Sequence, residues 1–234
     1  TDDATGIDTD NDGIIQTTEA AAFTGTIDVT GVTIADFTGL ETFTKVTKFI
    51  AKGATVSSFD FTANVMLNEI NLFGADPSNG TPSSNVTSVN VTGLTNLGAL
   101  TLRGSGITTL DVSSNTSLGQ LDVSQAASLA SLNLGTITSI STFYAYETQL
   151  VSLDLSKQTG LTIFSVHTTP LTLLNVKNGN NSNIAGTAWL SANTPNLTCI
   201  EVDDAAYSAT TWTDKDAANT FSENCVTTGL FDYN

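Results

Sequence analysis

Leu97-Gly-Ala-Leu100-Thr-Leu102, Ile107-Thr-Thr-Leu110-Asp-Val112, Leu118-Gly-Gln-Leu121-Asp-Val123 and Leu129-Ala-Ser-Leu132-Asn-Leu134 follow one another in a single stretch, and Leu150-Val-Ser-Leu153-Asp-Leu155 comes soon after. One phrase, apolar-x-x-apolar-x-apolar, keeps returning. Its second apolar residues are Leu100, Leu110, Leu121, Leu132, Phe143, Leu153, Phe164 and Leu174, at steps of 10 or 11. Every second one is 21 or 22 residues on. A period near 21 with a nested half-period is the mark of a solenoid, not of a globular fold.

The half-period has a direct physical meaning. Two apolar residues spaced by two point to the same side of an extended strand, and the residue between them points to water. Four or five small and polar residues then turn the chain. One coil of about 21 residues carries two short strands on opposite sides of a thin core. Stacked coils are expected to build two parallel sheets. No coil buries its own apolar strip, so several must stack.

These phrases resemble leucine-rich repeats. The similarity is greatest to the secreted type with nested ten-residue units common in marine Bacteroidetes, through Ile107–Asn115 (ITTLDVSSN) and Leu150–Ser156 (LVSLDLS). The resemblance implies a mainly β leucine-rich-repeat solenoid with about 21-residue coils, two parallel sheets and a cap at each end. It also implies an asparagine three residues after the last strand leucine, its amide bonded to turn backbone. Asn64 and Asn115 fit that place, whereas Ser105, Ala126, Thr148 and Thr169 depart from it.

Composition narrows the function classes. The formal charge is −16, from 23 acids against 7 bases. Phosphate contacts need clustered Lys and Arg, so nucleic acid and anionic membrane surfaces are poor partners. No run of 18 apolar residues is present to span a bilayer. The start lacks a basic n-region followed by an apolar h-region, which reads as a mature form or an excised piece. Cys199 and Cys225 are the only cysteines. An isolated late pair suits a disulfide in a terminal cap better than a metal site or a redox motif.

Residues 8–19 read Asp-Thr-Asp-Asn-Asp-Gly-Ile-Ile-Gln-Thr-Thr-Glu, the twelve-residue calcium loop of EF-hands with every position filled. Asp8, Asp10 and Asp12 hold loop positions 1, 3 and 5, and Gly13 allows the sharp turn. Ile14 offers a backbone carbonyl, Gln16 stands at position 9 and Glu19 brings two carboxylate oxygens. Ile15 is expected to anchor the loop in apolar surroundings. A helix is expected to start inside the loop and run through Phe23. With no second loop, Ca²⁺ reads as a structural ion fixing the first turn of the solenoid. The resemblance implies the same.

Boundaries follow from these segments: a calcium-loop cap over 1–45, a solenoid over 46–177, a C-terminal cap over 178–225 and a linker stub over 226–234. In the first cap Ile27 and Val29 read as a short strand. Ile34, Phe37, Leu40 and Phe43 recur every three residues, a helical or 3₁₀ spacing suited to closing the core. Within the solenoid, Ile70 to Val89 is 19 residues, and the surplus over 74–84 is dense in turn formers, so it must bulge from one edge. In the last cap Trp189, Leu190, Tyr207, Trp212 and Phe221 are the large residues expected to bury the final coil.

The outward strand residues differ between the two sheets. One side carries Asp60, Asn90, Asp111, Asn133, Asp154 and Asn175, a polar column that reads as a solvated ladder or, less readily, a weak cation strip. The other carries Tyr144, with Arg103, Gln120, Tyr146 and His167 at flanking outward positions. Aromatics beside Arg and His suit recognition of a protein or glycan. With one histidine, no nucleophile elbow and no phosphate loop, nothing selects catalytic chemistry. The expected function is a non-catalytic secreted or cell-surface binding or adhesion module for an extracellular protein or polysaccharide, monomeric, without nucleic acid or membrane insertion. The alternative is a structural spacer in a larger secreted protein, for example one attached to a polysaccharide-acting enzyme.

Overall fold

A computed structural model describes residues 6–74, 85–184 and 191–225. In chain order the strands are β1 (Thr26–Asp28), β2 (Lys48–Ile50), β3 (Ser58–Asp60), β4 (Glu69–Asn71), β5 (Ser88–Asn90), β6 (Ala99–Thr101), β7 (Thr109–Asp111) and β8 (Gln120–Asp122). They continue with β9 (Ser131–Asn133), β10 (Thr142–Tyr144), β11 (Ser152–Asp154), β12 (Ile163–Ser165), β13 (Leu173–Asn175), β14 (Cys199–Glu201) and β15 (Thr220–Ser222). Helices α1 (Thr17–Ala22) and α2 (Ala205–Thr211) flank the array. The pairings among the described residues are parallel and join strands of neighbouring coils, so the chain is a mainly β solenoid.

Each coil places its apolar residues inward as the spacing demands. Phe49, Phe61, Leu100, Leu102, Leu121, Val123, Phe143 and Leu155 are fully buried. Burying such a side chain contributes about 1.5–3 kcal/mol relative to leaving it in water. The turns have their own chemistry. Nine strands end in Asp or Asn whose Oδ1 accepts the N–H two residues on: Asp28, Asp60, Asn71, Asn90, Asp111, Asp122, Asn133, Asp154 and Asn175. The side chain mimics a turn carbonyl and ends the strand. The Asp/Asn column therefore serves turn formation first. Asn175, moreover, is buried rather than solvated.

The two sides are not equivalent. Strands β1, β2, β4, β6, β8, β10 and β12 form one continuous seven-stranded sheet. The opposite side was expected to be one sheet, but it is divided into β3–β5, β7–β9 and β11–β13–β14–β15. Buried amides hold the divided junctions. Asn115 Nδ2, after β7, donates to the carbonyls of Val91 and Leu94 after β5, at 2.8 and 3.0 Å. Gln158 Nε2, after β11, donates to Ile137 O after β9 at 2.8 Å, and Ile140 N donates to Gln158 Oε1 at 3.1 Å. Asn64 makes the equivalent bonds to Leu40 O and Phe43 O against the first cap.

At the N-terminal end the core is aromatic. Phe37 sits 4.8 Å from Phe59 and 5.6 Å from Phe49, and Phe23 meets Phe43 edge-on at 6.3 Å. The three-residue spacing of Phe37, Leu40 and Phe43 becomes a single 3₁₀ turn, Leu40–Thr42, with irregular chain before it. At the other end Trp212 is fully buried between Phe164 and Phe221. Cys199 and Cys225 form a disulfide that ties β14 to the end of the cap. Closing that loop of 26 residues' separation contributes about 3–4 kcal/mol by restricting the unfolded chain. The turn-rich surplus beyond Gly74, together with Trp189, Leu190 and the stub over 226–234, lies outside the described residues.

The amide bridges are testable. Asn115→Ala removes two bonds to buried carbonyls and is expected to cost about 1–3 kcal/mol in urea unfolding. Ser105 holds the same turn position one coil side earlier, but its buried hydroxyl has no hydrogen-bond partner. Ser105→Ala is expected to change stability little, so equal losses in the two variants would refute the bridging role.

Candidate functional site

Along one rim of the seven-stranded sheet each coil turns through the same four positions. The segments are Asp28-Val-Thr-Gly31, Ile50-Ala-Lys-Gly53, Asn71-Leu-Phe-Gly74, Thr101-Leu-Arg-Gly104, Asp122-Val-Ser-Gln125, Tyr144-Ala-Tyr-Glu147 and Ser165-Val-His-Thr168. The fourth residue donates its N–H to the third residue of the next coil: Gly53 to Phe73 O, Gly74 to Arg103 O, Gly104 to Ser124 O, Gln125 to Tyr146 O and Glu147 to His167 O. That bond needs a left-handed backbone in most coils. Gly31, Gly53 and Gly104 have φ of 74°, 69° and 70°. Gln125, Glu147 and Thr168 hold φ of 58°, 57° and 55° with side chains that resist it.

Here the register brings Phe73, Arg103, Ser124, Tyr146 and His167 into one row. Tyr146 stacks on His167, ring centroids 4.6 Å apart and planes 9° from parallel. The Arg103 guanidinium carbon lies 5.1 Å from the Phe73 ring centre and 5.9 Å from that of Tyr146. Arg103 Nε donates to Gln125 Oε1 at 2.9 Å. Arg103 and Tyr146 belong to coils two apart, roughly 9.6 Å along the stack. The residue between them is Ser124, small and buried, so the arginine reaches across it.

Three of the five residues expected to form the patch thus come together: Arg103, Tyr146 and His167. Tyr144 lies on the same coil as Tyr146 but in the central row, beside Asp122 and Ser165. Gln120 does not join them. It pairs with Thr142 at the opposite end of the strand, two residues before Tyr144's row and four before Tyr146's, because outward positions two apart in sequence advance along the strand. Phe73, Gln125, Glu147 and Thr168 belong to the site and were not foreseen. A signal for them exists in the sequence: glycine closes this turn in the first four coils and is replaced in the next three.

The local electrostatics are mixed. Burial pushes the Asp122 carboxyl above its ordinary range, opposed by hydrogen bonds from Ser124 and by the Arg103 charge. Burial also lowers the His167 imidazole below its ordinary value, partly offset by Glu147 and Asp214. Burial thus favours the neutral ring.

The second candidate is the acidic loop. Asp8, Asp10 and Glu19 bring one carboxylate oxygen each to within 4.8 Å of one another. Asp8 and Glu19 are buried. Gly13 has φ of 85°, as the sharp turn requires, and donates its N–H to Asp8 Oδ2 at 2.9 Å. Helix α1 follows, with Gln16 N bonded to Glu19 Oε2 at 3.0 Å. Glu19 Oε1 accepts the Thr9 N–H and hydroxyl at 2.6 and 2.7 Å. These bonds, the Thr9 hydroxyl foremost, lower the Glu19 carboxyl below its ordinary range. Asp12 stands outside the three-carboxylate group and accepts from Ile14 N and Gln16 Nε2, both at 2.8 Å. Gln16 turns its amide nitrogen toward the acids. Ile14 is exposed, and Ile15 is 50% exposed where it borders an apolar hollow of about 440 Å³ with Ala20, Ile27, Phe37 and Phe43. Apolar surroundings thus cover only half of Ile15.

A single histidine and a left-handed glutamate give two checks. The lone imidazole signal in proton NMR is expected to titrate below pH 6.5, and lower still in Glu147→Gln, which removes a charge that favours the imidazolium. Because the folded ring binds its proton less readily than the unfolded one, His167 costs stability as pH falls from about 6.5 through the folded value. A folded value at or above 6.5 would contradict this. Glu147→Gly is expected to stabilise by up to about 1 kcal/mol, since glycine relieves the left-handed strain at some entropic cost.

Comparison with known proteins follows the same lines. Residues 14–126 match the family described as the leucine-rich-repeat domain of the endo-beta-N-acetylglucosaminidase EndoS. Solved structures that align with the chain include two from Listeria monocytogenes. The functional domain of InlJ from Listeria monocytogenes is 19% identical over 88% of this chain, with a TM-score of 0.44. An internalin, inlF, from the same organism is 15% identical over 93% of this chain and 68% of its own, with a TM-score of 0.48. The chain spans about half, 51%, of the InlJ structure. No curated protein matches the sequence. The stacked two-strand coils give this chain a leucine-rich-repeat fold, and the family match covers just under half of it.

Proposed function

We propose that the chain is a non-catalytic extracellular binding module whose recognition surface is the Arg103–Tyr146–His167 rim. One observation carries this. In three successive coils glycine gives way to Gln125, Glu147 and Thr168 while the left-handed backbone is kept, and in two of them the turn-forming Asp or Asn gives way to Tyr144 and Ser165. Strain held by non-glycine residues at one place points to function there. A protein partner suits the rim better than a glycan. Tyr146 has His167 against one side and the Arg103 guanidinium near the ring, so a sugar lacks an open tyrosine face on which to stack. A disulfide suits an oxidising, extracellular setting. Among the described residues no helix is long and apolar enough to cross a membrane.

A second reading, a spacer within a larger secreted protein, is favoured by the match to a domain named as part of an endoglycosidase. Arrays of extracellular proteins and glycans separate the two. Binding to a protein, weakened at least tenfold in Tyr146→Ala/His167→Ala with the fold intact, is the expected result. Equal binding by wild type and variant would reject the rim, and silence on every array would favour the spacer.

The acidic loop fits a hard cation through its donor set, since Asp8, Asp10 and Glu19 converge and supply carboxylate oxygens. Ca²⁺ there would neutralise buried acids and fix α1 against the first coil. Asp12, Gln16 and the Ile14 carbonyl complete the loop pattern, with Gln16 exchanging its amide nitrogen for its oxygen. Binding at a hundredfold excess over Kd stabilises by about 2.7 kcal/mol. Chelation is expected to lower the Tm by several degrees and to expose residues 6–45 first in hydrogen exchange, and Asp8→Ala should reproduce both. An unchanged melting curve in calcium and in chelator would remove the ion from the proposal.

A further inference from the structure

Arg103 is the only arginine of the chain. Its position is fixed from three directions: Phe73, Tyr146 and the bond from Nε to Gln125 Oε1. Among the described residues it has no ion pair, in contrast to Lys48, which meets Glu69 at 2.8 Å. Its two terminal nitrogens have no hydrogen-bond partner among those residues either. A guanidinium whose Nε edge is taken and whose outer edge is unpaired is a planar fork, with its rotamer entropy already spent. The group that matches such a fork is a carboxylate, which accepts two parallel N–H bonds.

We propose that Arg103 receives a single carboxylate from an Asp or Glu side chain of a partner protein, an inference that rests on the rim being the recognition surface. The surroundings define the partner. Asp122 lies one coil away and Glu147 two coils away, and the whole chain is at −16. A cluster of acids would be repelled, whereas one acid on a neutral or basic surface is drawn in and oriented. Tyr146, stacked on His167, lies beside the fork. The Gln125 bond orients the guanidinium, and the left-handed backbone of Gln125 places that side chain where glycine would leave none.

The lone arginine makes the test direct, because the full chain has one Nε–H cross-peak in a nitrogen–proton NMR spectrum. N-acetyl-glutamate amide, added at constant ionic strength, is expected to shift that peak saturably in the millimolar range. Its glutamine analogue and sodium chloride should leave the peak in place. Arg103→Lys keeps the charge but not the fork, and the Tyr146 ring signals should then lose their response to the glutamate probe. The carboxylate assignment is overturned if the glutamine analogue shifts the peak equally, or if Arg103→Lys retains the ring response. An equal or larger shift from methyl glucuronide overturns the protein source in favour of acidic sugars. If array binding disappears in Tyr146→Ala/His167→Ala but the Arg103 peak stays still, only the carboxylate inference fails. If array binding survives that variant, the rim itself fails.

Discussion

Three-residue strands are too short to hold a sheet by themselves, and no coil can cover its own apolar strip. The molecule exists because neighbouring coils bury each other. Everything regular in it serves that stacking. Inward residues such as Leu100 and Leu121 sit in register across coils at full burial. The turns must then reverse the chain without widening the stack, and Asp or Asn at the strand end achieves this by bonding the turn's own backbone. The two ends, which have no neighbour to cover them, are closed by large aromatics: Phe23, Phe37 and Phe43 at one, Trp212 and Phe221 at the other.

The two sides hold their coils together differently. One sheet keeps an unbroken ladder from β1 to β12, while the other gives up its ladder twice. At both breaks a buried side-chain amide reaches back to turn carbonyls, from Asn115 and from Gln158. The amide is long enough to bridge a gap that backbone groups no longer span. It also satisfies polar groups that would otherwise be buried without partners. Between β7 and β9, which remain paired, the equivalent turn position at Ile137 is apolar, although Asn178 after β13 donates to Gln158 O across the paired β11 and β13.

The coil, its period and its inward residues were legible because burial alone dictates them. Phe49, Leu72, Leu110 and Val176 could be placed inside from spacing, and all are buried. The division of the second sheet was not legible, because pairing between coils is a property of the stack and not of any one phrase. Gln158 escaped notice because it answers to asparagine's role with a longer side chain. Gln120 was misplaced by treating outward positions as one patch when they are spread along the strand. In the acidic loop, spacing predicted the convergence of Asp8, Asp10 and Glu19 and the turn at Gly13. It did not reveal that Asp12 and Gln16 bond each other. The left-handed turn residues were readable in principle, as glycine at a fixed place in four coils and its loss in three.

That loss bears on why recognition would sit on this rim and not on the Asp/Asn column opposite. A surface that holds an arginine between rings on different coils needs those coils at fixed spacing. Only the continuous sheet supplies it, since its strand ladder and the turn bonds from residue 53 to residue 168 fix each coil to the next. The opposite column is interrupted, and its carboxylates are committed to turns. Drift alone would favour glycine returning at Gln125, Glu147 and Thr168, because each left-handed non-glycine residue costs about 1–2 kcal/mol. Instead they neighbour a row in which Phe73, Arg103, Tyr146 and His167 lie beside one another. A rigid ladder beneath and strained turns beside it are the conditions under which such a row keeps one geometry for a partner to meet.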